Sequence, residues 1–186
     1  MSYSREVFKL FVYRVVRVGS VAIIYSAFFY INQLFFSSLA FSAGVNWVFL
    51  PSGIRLIAVL LLDIEGALGI ILSSIFLSYE QLFASNIIVS LGSGIISGAS
   101  PMIAKKISHY GLNINTDPKT IVPTDLLKMA LTFSIISAVM HQIWYSYTGE
   151  TKSFIWSTAV MGVGDFLGSL IILYSFRLII KALDTK

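Results

Sequence analysis

From Val18 to Ile54 the chain runs for 37 residues with no ionisable side chain other than tyrosine. About 20 apolar residues suffice to cross the hydrocarbon core of a bilayer as a helix. A stretch of this length therefore predicts membrane insertion rather than a buried core helix. The remaining sequence agrees. Only 12% of the 186 residues are charged and 56% are hydrophobic, whereas roughly a quarter of a soluble domain is charged. This composition argues against a soluble enzyme, a nucleic-acid-binding module and a disordered tail. The net charge of +4 needs no nucleic-acid partner, because membrane proteins concentrate basic residues on their cytoplasmic side.

The chain has no cysteine, which excludes disulfides, Cys-ligated metal centres and thiol catalysis in it. Arg5, Lys9, Arg14 and Arg17 precede the apolar run, and no small-residue cleavage site closes it, so the first helix is expected to be retained. Residues 1–17 are expected to form a basic amphipathic segment on the inner membrane face, with arginines snorkelling to lipid headgroups. Residues 18–182 are expected to form a single all-α transmembrane bundle of about six helices. Their expected spans are about 18–39, 51–62, 66–78, 82–100, 125–147 and 154–179. Thr124 or Asp125 is expected to cap the fifth, and Pro101 to stop the fourth.

Six helices place both termini on one side. Eleven of the 13 basic residues then fall in inner segments, Lys152 alone in an outer loop, and Arg55 within the membrane. The bias predicts cytoplasmic termini. Trp47, Trp144 and Trp156 fall near the opposite interface, where aromatic belts occur. Summed by place, the inner segments carry 11 bases and six acids, or +5. The outer loops carry Lys152 against Glu80 and Glu150, or −1.

Ionisable groups inside a membrane cost about 2.5–3.5 kcal/mol each on insertion scales, so each needs a reason. Arg55 lies 11 residues past Gly44, and Asp165 lies 11 past Phe154. At ~1.5 Å per residue both sit about 16 Å into the bundle, and they are expected to pair. A structural salt bridge and a ligand or ion site both fit such a pair. Pro51-Ser52-Gly53 predicts either a helix that starts or breaks within the membrane, whose free N–H groups and positive dipole end would favour an anion, or a loop that merely enters the outer interface. Gly94 and Gly98, and Gly164 and Gly168, are spaced four apart for close helix packing, with a homo-oligomer face as the alternative. His141 has no second histidine near it for a metal site. Asn86, Ser90 and Ser93 are expected to bond backbone rather than line a cavity. No catalytic constellation is present, so no enzyme is expected. The 26 aromatic residues fit packing, a pigment, a quinone or lipid equally, and name no cofactor.

Trp47 followed by Leu50-Pro51-Ser52-Gly53-Ile54, together with Gly164-Asp165-Phe166-Leu167-Gly168, resembles the first family of bacterial membrane-associated sensor domains over about residues 44–180. The resemblance implies an integral-membrane sensory input domain of the bacterial cytoplasmic membrane. Such domains are usually fused to a histidine kinase, a diguanylate cyclase or a similar output. A ligand site is expected at Trp47, Pro51, Ser52, Gly53, Arg55 and Asp165, while the ligands of that family are mostly undefined. The chain departs from the family in its smaller helix number, in Arg55, and in having no output domain before Lys186. It would therefore signal through a separate partner. An accessory subunit of a respiratory, photosynthetic or transport complex is the alternative, as is a small substrate-binding transport component.

Overall fold

The computed structural model describes residues 2–118, 120–151 and 153–184. Lys119, Lys152 and Lys186, counted above among the loop and tail cations, lie outside the described residues. Five α-helices dominate: α1 (Ser2–Phe36), α2 (Pro51–Leu77), α3 (Ile87–Lys106), α4 (Pro123–Tyr147) and α5 (Phe154–Asp184). The all-α architecture follows from composition. Where no water is at hand, a helix satisfies its backbone donors and acceptors internally. Four stretches, Pro51–Leu82, Ile87–Gly111, Pro123–Tyr147 and Phe154–Leu178, are long and apolar enough to cross a membrane. That fits a multi-pass integral membrane protein.

The helix count is five, not six. The stretches expected as separate helices at 51–62 and 66–78 form one element, interrupted only at Asp63 (φ 46°, ψ −115°). A side chain on Gly66 would collide with the carbonyl oxygen of Ala58 and lie 3.1 Å from the nitrogen of Val59. In a straight helix, residues eight apart are separated by about 12 Å. The chain therefore folds back at Asp63, and α2 is two arms, 51–62 and 64–77. The expected turn at Asp63–Glu65 needs only one non-helical residue because Gly66 lets the arms touch. Lys105 of α3 forms an ion pair with Asp63 and donates to the Val59 carbonyl at 3.4 Å. It thereby satisfies a C-terminal carbonyl of the first arm.

Other boundaries differ from expectation. The basic N-terminal stretch is no separate segment but the opening of α1; Glu65 meets Arg14 at 3.6 Å. After α1 comes a 3₁₀ turn (Ser37–Leu39), then a small hairpin of β1 (Ala40–Ser42) and β2 (Val45–Asn46). Gly44 makes its turn with φ +70°, a conformation that suits glycine. Pro101 lies inside α3 and does not end it. In apolar surroundings, continuing the helix satisfies more backbone than stopping would. π-helical turns follow α2 (Ser78–Leu82) and α3 (Ile107–Gly111). The fifth expected helix begins at Pro123 in its first turn with no side-chain cap, so neither Thr124 nor Asp125 caps it. Proline suits that position because its missing N–H would have no helical partner there.

Packing is set by small residues. A Cβ on Gly98 would lie 2.5 Å from Ile71 Cγ1 and 2.6 Å from the Ala67 oxygen, and one on Gly94 would lie 2.9 Å from the Ile75 nitrogen. These glycines seat α3 on the second arm of α2. On α5, Gly164 faces the Asn46 carbonyl and Gly168 the Phe49 carbonyl. The α5 glycines therefore make room for the non-helical chain 45–49, and not for another helix. Trp47, Trp144 and Trp156 gather at one end of the bundle; Lys105, Lys106 and Lys128 lie at the other.

Candidate functional site

The non-helical segment 45–50 runs beside α5, with Asn46 against Gly164 and Phe49 against Gly168. The Phe49 nitrogen donates to the Gly164 carbonyl at 3.1 Å. The Leu50 nitrogen donates to the side chain of Asn32, a buried α1 residue, at 2.8 Å. Helix α2 then begins at Pro51, deep in the protein. The Ser52 and Gly53 nitrogens bond the Phe49 and Leu50 carbonyls. The N–H groups expected to stand free for an anion are therefore largely taken. What the deep start of α2 achieves instead is to deliver Ser52 and Arg55 to the middle of α5.

Ser52 Oγ donates to the Asp165 backbone oxygen at 2.7 Å and lies 3.2 Å from Ser169 Oγ. One turn on, Arg55 Nη2 donates to Asp165 Oδ1 at 3.0 Å, and each side chain is 1% exposed. The pair anticipated from the depth arithmetic is thus present. Nη1 reaches Ser137 Oγ at 3.3 Å. The guanidinium carbon lies 5.4 Å from the ring centres of both Phe49 and Phe133. Two aromatic faces, a carboxylate and a hydroxyl thus offset the loss of water around the cation. Two polar atoms of the pair keep no partner, Arg55 Nε and Asp165 Oδ2.

Arg55 also lines an internal cavity of about 30 Å³ to which all five helices and the 44–49 segment contribute. A volume near 10–15 Å³ measured to the centre of a water molecule holds one water, so this space suits one or two waters or a ligand of few atoms. Its polar wall is a network. His141 Nδ1 lies 2.8 Å from the Ser137 carbonyl. A carbonyl only accepts, so Nδ1 carries the proton and Nε2 accepts from Ser97 Oγ at 3.3 Å. Ser74 Oγ donates to Ser97 Oγ at 2.9 Å. Nearer the tryptophan end, Ser93 and Tyr145 hydroxyls share a bond of 3.0 Å, under Gly44, whose Cβ would lie 2.8 Å from the Tyr145 oxygen.

Of the residues expected to form a site, Arg55 lines the cavity, Asp165 pairs with it, and Ser52 braces the Asp165 backbone. Pro51 and Gly53 are buried but do not line the space. Gly53 serves packing, since a Cβ there would lie 2.5 Å from Ile172 Cβ. Trp47 is 43% exposed and does not line the cavity. Strand β2 ends at Asn46 and the chain bends at Trp47, so the alternation that buries Val45 does not carry on to Trp47. Asn86 and Ser90 bond backbone as expected, whereas Ser93 lines the cavity. Tyr25, Ser74, Ser97, His141 and Tyr145 were not foreseen as one site. His141 stood out in the sequence only as a candidate metal ligand without companions, and among the described residues no cluster suited to a metal ion occurs.

No family model, no curated protein and no solved structure matches this chain.

Proposed function

We propose that the protein is a membrane-embedded sensory or ligand-binding module, with Arg55, Asp165 and the adjoining cavity as its site, acting through a separate partner protein. One observation carries this reading: a fully buried arginine with an unused Nε donor is among the residues that line a partly polar cavity. A bridge serving only to fix helix register would be better served by complete pairing or by apolar residues of similar volume. The cavity reaches Gly44 and Asn46 at the tryptophan end, a route for small solutes from that side. The charge bias supports a cytoplasmic location for the opposite end, with Lys105, Lys106 and Lys128. That orientation suits a sensor of the bacterial cytoplasmic membrane with cytoplasmic termini, related to the sensor-domain family its motifs resemble. The reading includes no catalysis, no cofactor and no nucleic acid.

Purification in gentle detergent tests it. A signalling protein should co-purify, and its output should change with Tyr145→Phe or Asp165→Asn while co-purification persists. Isolation as a lone monomer would contradict a partner-dependent module. Stable association with respiratory, photosynthetic or transport subunits, with output indifferent to the cavity, would replace this reading with the accessory-subunit one.

A further inference from the structure

We infer that the Arg55 cavity takes a small monovalent anion together with one proton, the proton residing on Asp165. This rests on the cavity being a ligand site and names the chemistry of its ligand. Three observations support it. Arg55 Nε is a charged donor without an acceptor, on a side chain 1% exposed, and Arg55 lines the space. Ser93 and Tyr145 hold two hydroxyl protons but share one hydrogen bond, which leaves a second donor for the cavity. The cavity, about 30 Å³, suits an anion of one to three heavy atoms and excludes sulfate-sized ones.

Charge balance supplies the proton. Arg55 and Asp165 are neutral together, so an added anion would leave an uncompensated negative charge in a low-dielectric interior, which is strongly disfavoured. Asp165 Oδ2 accepts no hydrogen bond, so a proton placed there breaks none. The anion X⁻ and H⁺ thus enter as the elements of the neutral acid HX. X⁻ rests against the Arg55 guanidinium and the Ser93–Tyr145 hydroxyls, and H⁺ goes to Asp165. The other charged or titratable side chains around the centre are Tyr25 from α1 and His141 and Tyr145 from α4; α3 and the 45–50 segment add only serines, Asn46 and apolar groups to the cavity. His141 already donates through Nδ1 and accepts through Nε2. A proton on it would displace the Ser97 bond and set a second cation beside Arg55.

The full chain in neutral detergent, unfolded by heat and followed by tryptophan fluorescence, provides the test. Sodium chloride and sodium formate are the probes, and sodium sulfate at equal ionic strength is the control. Chloride and formate should raise the wild-type Tm at pH 5 and hardly at pH 8. The half-saturating concentration should rise about tenfold per pH unit in the range where Asp165 has lost its proton. Asp165→Asn, neutral at every pH, should gain equally at both, and Arg55→Gln should gain nothing. If Asp165→Asn gains nothing, or Arg55→Gln gains as much as wild type, the inference is overturned. Should Asp165→Asn not fold, proton uptake by wild type on adding formate in weak buffer decides: one proton per anion supports the inference, and none sinks it. If no anion acts but the partner's output still responds to Tyr145→Phe, the anion chemistry fails alone. If neither acts, the ligand site itself fails.

Discussion

Arg55 and Asp165 are connected through 110 residues of chain, yet each stands out in the sequence because a charge within an apolar run demands compensation. The structure joins them at 3.0 Å and adds what the one-dimensional pattern lacks. Ser137 takes the second guanidinium nitrogen, and Phe49 and Phe133 flank it. Removing one partner of a buried pair strands the other and costs about 3–5 kcal/mol, while removing both with apolar replacements costs far less. Arg55→Met and Asp165→Leu should therefore each lower stability by about that amount. The double variant should be more stable than the sum of the two losses predicts, read as a double-mutant cycle of unfolding midpoints. Additive losses would mean the two charges do not interact. His141, Ser97 and Tyr145 were not legible as a site. Each sits on an ordinary helical face among serines and aromatics, and only the meeting of α3 with α4 gives them a common purpose.

Among the elements, the positions of the helices were legible from their apolar runs. Their junctions were not. The gap at residues 63–65 marked a chain reversal, but whether it takes three residues or one depends on Gly66 meeting Ala58 across the turn, a tertiary contact. Asp63 holds a positive φ of 46°, where β-branched side chains are strained. Asp63→Gly and Asp63→Val both lose the pair with Lys105, so their difference isolates the backbone. The glycine variant should be the more stable by about 1–3 kcal/mol in thermal or denaturant unfolding. The α5 glycines give a second contrast. A Cβ on Gly162 would meet nothing closer than 3.7 Å, while one on Gly164 would strike the Asn46 carbonyl. Gly162→Ala should be neutral or stabilise by up to about 1 kcal/mol through helix propensity. Gly164→Ala should destabilise by about 1–3 kcal/mol through overpacking. The glycine spacing was legible; that it admits a non-helical segment rather than a helix was not, because both neighbours need the same room.

At the scale of the whole molecule, the bundle is organised around the point where α2 begins, and all five helices send side chains to one small polar space. Its orientation is open to direct test because the chain has no cysteine. Glu150→Cys should react with a membrane-impermeant maleimide on intact cells, and Asn115→Cys only after permeabilisation; the reverse pattern would invert the topology. Entry of a small solute into the Arg55 cavity from the tryptophan end is read from thiol reactivity within it. Ser93→Cys should react with a small thiol reagent added from that side, and should do so faster than Ile135→Cys on the exposed apolar face of α4. A Ser93→Cys as unreactive as Ile135→Cys would contradict such entry.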